Sequence, residues 1–421
     1  MISQRVWAVT LFYILSRQVS TWFNPNLGPS VFNSVFNTDG EASGPLIHRR
    51  IQVEKTLSGK KTRVVFHYVE SLAPGKECIV FLHGFMDTWK LWQKQLEFLS
   101  DRYHVVAFDL KGCGQSSMNY PQTLFPDLQD PGGNYQLHMQ ADELVSALTA
   151  IGVQRFNLVT LDLGTIIADV LAGQYPDRVI RYIRCQQPLV GHFKSSIPQG
   201  YLLKRRRSAR LFTTLLETDP STLIRILYGR TGWKLIDEQM KRTKTPILDD
   251  ASVNSAIQEA AYPFQWGPRA GRPGTFVCAW AGLYQHNPDY WQFLHNNLQA
   301  YQRYTFPVFL VQGIHDIAMP PSRFDGSTGM ALKIVATGGS SKQVLSRPFD
   351  ANGNGLGDGY LPWGDLIPGA SHPLPVQAFF PHSQHVELKF MDTGHFIPKE
   401  DPEAFNVVLD DCLSLPVLER L

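Results

Sequence analysis

The chain has 421 residues, 43% of them hydrophobic and 18% charged, with a formal net charge of +2. That length suits one large domain with an inserted subdomain as well as it suits two domains, and no repeat or low-complexity tract interrupts it. The small net charge argues against nucleic acid as the main partner.

At the N-terminus, "RVWAVTLFYILSR" holds a ten-residue apolar stretch, Val6–Leu15, between arginines. It is too short to cross a bilayer, which takes about 20 residues. It fits a signal h-region, although no small-x-small cleavage site follows clearly. With Trp7, Phe12, Tyr13, Trp22 and Phe23 it also fits an amphipathic helix lying on a membrane surface. The expected location is accordingly cytoplasmic or membrane-associated, with peripheral contact through the N-terminus. Five cysteines (Cys78, Cys113, Cys185, Cys278, Cys412) are odd in number and form no CxxC pair. They read as free thiols in a reducing compartment.

After residue 46, "LIHRRIQV" and "TRVVFHYVE" alternate like two antiparallel strands. "CIVFLHGF" is a continuous apolar strand, "WKLWQKQLEFLS" is helical, and "HVVAFDL" is a strand ending in the Gly-rich turn "KGCGQSS". "LHMQADELVSALTAIG" is a helix closed by Gly152. Another short apolar run, "FNLVTL", turns at Asp162 into "LGTIIADVLAGQYP", whose Ile166, Ile167, Val170 and Leu171 have helical spacing. The strand "VIRYIRCQQP" comes next. This alternation predicts a mostly parallel sheet covered on both faces.

From residue 189 to 304 the chain reads as helical, polar and aromatic, including the basic run Lys204–Arg210, which suits a solvated helix face better than a phosphate patch. Strand patterns resume at "FPVFLVQGIHD" and, after an interruption over 322–385, at "HVELKFMDTGHF". The expected organisation is an N-terminal extension (1–46), a core (47–188 and 305–421) and a helical cap (189–304). Ligands of open α/β sheets bind at the carboxyl ends of the strands, so such a cap would roof the site.

Three groups fall at those strand ends: Asp162, Asp316 after "VFLVQGIH", and His395 after "VELKFMDTG". Taken singly, Asp162 reads as a turn residue, Asp316 as a helix N-cap and His395 as a satisfied core histidine. Jointly they repeat the order nucleophile, acid, base on a strand–turn–helix elbow whose tip is flanked by Thr160 and Gly164. A serine usually stands at such a tip. Here it is an aspartate, already ionised near neutral pH as an ordinary carboxyl and able to displace a leaving group from saturated carbon without a base.

"FLHGFMDTWKLWQKQLEFLSDRYHVVAFDLKGCGQSS", "LDLGT", "GIHD" and "DTGHFIPKEDPE" together resemble the epoxide hydrolase and haloalkane dehalogenase branch of the α/β-hydrolase superfamily. The resemblance implies an α/β-hydrolase fold with a helical cap. It implies an ester formed on Asp162 and hydrolysed by a water that His395, held by Asp316, activates. It implies an oxyanion hole from the backbone amides of Phe85 and Leu163, and it keeps Asp109 as a structural residue of the turn before "GCGQSS". The stretch "AWAGLYQHN" is similar to an epoxide hydrolase motif that supplies a proton-donating tyrosine, which nominates Tyr284. The side chains that would hold a halide fall at Leu163 and Phe85, and neither can donate a hydrogen bond.

Epoxide opening is therefore the leading expectation. The alternatives are a dehalogenase-like hydrolase and a ligand-binding protein without turnover. Trp266, Phe276, Trp280 and Phe293 in or near the cap predict a small apolar substrate. No organic cofactor is expected. In the interruption, "DANGNGLGD" spaces Asp350, Asn352, Asn354 and Asp358 as alternating oxygen ligands that would suit Ca²⁺. Against that stands the reading of a Gly/Asn-rich surface loop, since Leu361 holds the place of the EF-hand's closing glutamate.

Overall fold

The structure is a computed structural model describing residues 42–43, 45–57, 60–71, 73, 75–85, 87–117, 119, 130–187, 207–208, 298–313, 345–347, 360–361, 374–375, 379–391 and 393–417. Strands β1 (Ala42–Ser43), β2 (Leu46–Leu57) and β3 (Lys60–Ser71) come first. β4 (Cys78–Leu82) leads through a 3₁₀ turn at Trp89–Trp92 into α1 (Gln93–Leu99) and β5 (His104–Phe108). α2 (Leu137–Ala150), β6 (Phe156–Leu161), α3 (Leu163–Gln174) and β7 (Val179–Cys185) follow. The chain is next described at α4 (Leu298–Tyr301) and β8 (Val308–Gly313), apart from 207–208. β9 (Leu345–Arg347), β10 (Tyr360–Leu361), β11 (Leu374–Pro375), β12 (Val386–Met391), α5 (Ile397–Glu400) and α6 (Pro402–Ser414) complete the order.

The strands form a ten-stranded sheet in the order β1-β2-β3-β5-β4-β6-β7-β8-β12-β9. From β5 to β12 every pair is parallel. The edges are antiparallel, with the β2–β3 hairpin paired as its alternating sequence predicts. β4, β6 and β8 are buried along their whole length. That is why they read as unbroken apolar runs, since a parallel strand has both faces covered. α2, α3 and α4 pack together as one group and α1, α5 and α6 as another. Trp92 fills the core between Phe81 and Phe405, with ring centroids 5.4 and 6.2 Å away.

Two elements differ from the sequence expectation. The segment "WKLWQKQLEFLS" opens as a 3₁₀ turn, because the Thr88 hydroxyl accepts from the Lys90 amide and caps the tight turn. Within the interruption 322–385, Leu345–Arg347 pairs antiparallel with β12 and adds an edge strand. Three residues carry too little alternation to be seen in sequence. Cys78, Cys113, Cys185 and Cys412 are free and buried, and burial pushes their thiols up. Cys278 lies outside the described residues. No described helix is long and apolar enough to cross a membrane.

Asp109 organises the turn after β5. Its carboxylate accepts from the amides of Trp89 and Gln115, each at 2.8 Å, and from His67 Nδ1 at 2.7 Å. Gly114, at φ +51, has no room for a side chain, since a Cβ there would meet Asp109 Oδ2 at 2.2 Å. Burial alone would raise the Asp109 carboxyl; the His67 imidazole and the Gln115 amide outweigh it and hold the group below its ordinary value. A depressed folded pKa gives stability that is present above the unfolded value and is lost as pH falls through the folded one. Asp109→Asn is expected to cost about 3–5 kcal/mol at pH 7, the scale for breaking a buried charged cluster. In acid the gap between variant and wild type should close, because the wild-type carboxyl is then protonated too. Urea unfolding at neutral and acid pH measures both, and an equal gap at the two pH values would contradict the assignment.

Candidate active site

Asp162 stands between β6 and α3 with φ 50, one of the two described non-glycine residues at positive φ. The elbow is tight on both sides. A Cβ on Gly164 would meet the carbonyl oxygens of Leu82 and His83 at 2.5 Å, so only glycine lets α3 start this close to the end of β4. A Cβ on Gly84 would lie 2.8 Å from the Asp162 Cβ. The loop after β4 thus runs against the tip, and the Phe85 amide donates to Asp162 Oδ1 at 3.0 Å. The Asp162 amide donates to the Cys185 carbonyl at 3.2 Å, tying the tip to the end of β7. Sheet order places this meeting between β4 and β6, where the winding reverses and open sheets form their crevice.

His395 follows β12 and reaches the same point. Its Nε2 is 3.7 Å from Asp162 Oδ2, with the two side chains 14% and 16% exposed. That separation exceeds a hydrogen bond. It leaves Oδ2 facing the imidazole while Oδ1 is held by the Phe85 amide. The His395 ring stands edge-on to Phe396 at 5.0 Å between centroids.

Of the residues nominated from sequence, the structure brings together Asp162, His395 and Phe85, and places Leu163 beside them as the first residue of α3. Asp316 and Tyr284 lie outside the described residues, as do Trp266, Phe276, Trp280 and Phe293. So do Asp350, Asn352, Asn354 and Asp358, the alternating oxygen ligands of the interruption. Among the described residues no group of three or more His, Cys, Asp or Glu side chains could hold a metal ion.

Other supporting residues were invisible in sequence. His83, fully buried, accepts from the Leu110 amide at Nε2 (2.9 Å) and points Nδ1 at the Gly84 carbonyl (2.7 Å). Burial pushes this imidazole down, against the pull of Asp109 and the Gly84 bond, so a neutral ring with its proton on Nδ1 staples the Phe85 loop to the end of β5. Asp87, buried in the same loop, takes Lys399 Nζ at 3.0 Å, which links α5 to the Phe85 loop. The only sequence signal for either was position within "LHGFMD" and "HFIPKE".

Beneath the elbow lies a buried ion pair. Arg184 of β7 meets Asp169 of α3 at 2.7 Å (Nη2–Oδ2) and 2.9 Å (Nε–Oδ1). Tyr182 and Tyr301 donate to the same carboxylate at 3.0 and 2.9 Å, and Tyr304 to the Asp169 carbonyl at 2.8 Å. Arg184 also donates to the Gln187 carbonyl. Burial would lower the guanidinium's pKa, but Asp169 raises it above the ordinary value; burial pushes the three phenols up. Both stems of the excursion between β7 and β8 are therefore fastened to one charge pair.

A family profile described as the alpha/beta hydrolase fold matches residues 77–193. Over 153 residues the chain is 31% identical to Epoxide hydrolase 4 of Mus musculus, covering 36% of this chain and 38% of that protein. Over 138 residues it is 28% identical to Epoxide hydrolase 1 of Caenorhabditis elegans, covering 33% and 32%. The aligned stretch thus spans about a third of these curated relatives. The solved structure of the epoxide hydrolase CorEH superposes with a TM-score of 0.53 at 15% identity, over 87% of this chain and 99% of that one. At that identity the superposition speaks for the fold alone.

Proposed function

We propose that this chain, which carries the alpha/beta hydrolase profile over residues 77–193 and is similar to epoxide hydrolases over about a third of its length, opens epoxides of apolar substrates to diols through an ester on Asp162. The observation that carries this reading is the pairing at the elbow tip: Oδ1 on the Phe85 amide and Oδ2 toward His395. In the first step Oδ2 attacks a ring carbon, the carbon–oxygen bond of the epoxide breaks, and the leaving oxygen takes a proton from an acid, for which Tyr284 is the candidate. No base is needed, because the carboxylate is the nucleophile.

In the second step His395 removes a proton from water, and the water oxygen attacks Cγ of Asp162. Oδ1 becomes the oxyanion, and the Phe85 amide is already in hydrogen-bond range of it. The bond between Cγ and the alkyl oxygen then breaks, the imidazolium returns its proton to that oxygen, a diol leaves, and the proton that the water left on the Asp162 carboxyl passes back to the acid that protonated the epoxide oxygen. One water is consumed. An aspartate at the tip disfavours ordinary serine-type ester hydrolysis, and the apolar side chains of Phe85 and Leu163 disfavour halide release.

The oxygen bookkeeping supplies the test. The diol carries away one carboxylate oxygen, and the water's oxygen stays in Asp162. A single turnover in ¹⁸O water should therefore label Asp162, found by peptide mass spectrometry, and leave the first diol unlabelled. Turnover of an aryl or alkyl epoxide with all label in the diol would overturn the ester mechanism. Tight binding without turnover across epoxides, haloalkanes and aryl esters would point to a binding protein instead.

A further inference from the structure

Gln186 immediately follows β7, is fully buried, and is the second described non-glycine residue at positive φ (53). A side chain with a β-carbon is disfavoured there, and such strain persists where surrounding structure over-determines it. Its carboxamide spans two loops. Oε1 accepts from the Gly313 amide at 3.2 Å, and Nε2 donates to the Gly394 carbonyl. Gly313 ends β8, three residues before Asp316, and Gly394 immediately precedes His395. The junction has no spare volume, since a Cβ on Gly313 would meet the Gly394 oxygen at 2.2 Å and the Gln186 amide nitrogen at 2.7 Å.

The opposite side of the histidine loop is held by Glu400, the last residue of α5. Its Oε2 accepts from the Gly394 amide at 2.6 Å and its Oε1 from the Phe396 amide at 2.8 Å. The peptide groups on both sides of His395 are thus fixed by two side chains that approach from different elements. Neither side chain is among the reacting groups.

We propose that Gln186 and Glu400 are positioning residues that clamp the His395 loop, with Gln186 also joining it to the end of the strand that leads to Asp316. This rests on the reading that His395 activates the water that hydrolyses the Asp162 ester. A clamp of this kind acts on the second chemical step alone, because the first needs no imidazole.

Gln186→Met keeps the side chain's approximate shape and removes both hydrogen bonds. Rapid-quench kinetics with a turned-over epoxide should show ester hydrolysis slowed on the order of 10–100-fold, the scale for a misplaced catalytic group, with ester formation nearly unchanged. In ¹³C-histidine NMR, the His395 signal, assigned by its loss in His395→Gln, should shift while those of His104 and His385 stay in place. Equal slowing of both steps, or an unmoved His395 signal in a folded variant, would overturn the clamp. If the wild type forms no ester, the proposed function fails, and the NMR shift alone then decides the positioning role. If Gln186→Met does not fold, Glu400→Gln, which keeps one acceptor oxygen, is read by the same two measurements and the same criteria.

Discussion

His395→Gln is expected to accumulate a covalent adduct on Asp162, heavier than the free protein by the mass of the whole epoxide. The proposed nucleophile is a carboxylate whose Oδ1 is held by the Phe85 amide at 3.0 Å and whose Oδ2 lies 3.7 Å from the imidazole. Attack therefore draws on no proton transfer from His395, whereas the hydrolytic water must lose a proton to attack Cγ. Steady-state turnover should fall by roughly 10⁴-fold or more, as when one member of a catalytic unit is removed, while the burst of ester formation survives. Intact-protein mass spectrometry after mixing with substrate reads the adduct directly. An unmodified mass, with substrate binding shown to be intact, would mean that His395 acts before the ester forms. Asp162→Ala should abolish both burst and turnover, which separates loss of the nucleophile from loss of the base.

The second large effect is on stability, and its sign pattern is more informative than its size. Removing one partner of a buried ion pair costs about 3–5 kcal/mol. Arg184→Met leaves the Asp169 carboxylate with two phenol donors, from Tyr182 and Tyr301. Asp169→Leu leaves a buried guanidinium without its carboxylate and also takes the acceptor from the Tyr301 hydroxyl, an orphan adding about 1–3 kcal/mol, while Tyr182 keeps the Thr165 carbonyl at 3.3 Å. The aspartate variant should therefore be the less stable of the two. The double variant should be more stable than the sum of the single losses implies, because no charge is then stranded. Chemical denaturation of the three variants gives the coupling. A larger loss for Arg184→Met than for Asp169→Leu would show that the phenols do not depend on that carboxylate.

Local patterns made part of this molecule legible. The parallel strands β4, β6 and β8 announce themselves as apolar runs because both faces are covered, and the β2–β3 hairpin as an alternation because its pairing is local. The elbow was readable from "TLDLGT", since Gly164 must be glycine for a steric reason confined to one turn. Arg184 was not. "VIRYIRC" gives two arginines three residues apart, which a strand points to opposite faces, and only the tertiary fold places Asp169 of an otherwise apolar helix opposite Arg184. Gln186 and Glu400 escaped for the same cause. Their targets are backbone groups, which leave no mark on composition, and those of Gln186 lie more than a hundred residues away in the chain. Asp316 and Tyr284 fall outside the described residues, so their roles rest on resemblance.

The fastening of both stems at one charge pair has a consequence in polymer terms. The chain leaves the core past Gln187, whose carbonyl takes the Arg184 guanidinium, and re-enters at α4, where Tyr301 and Tyr304 hold Asp169. α4 also lies so close to α3 that a Cβ on Gly173 would touch the Ala300 Cβ at 2.6 Å. The end-to-end vector of everything between is thus a boundary condition set by the core. For a tethered chain, closure entropy grows only with the logarithm of contour length, about 0.6 kcal/mol for each doubling. Lengthening, shortening or exchanging the segment over 188–297 therefore perturbs the folding equilibrium of the core weakly, and the anchor leaves the placement of Asp162 and His395 as it is.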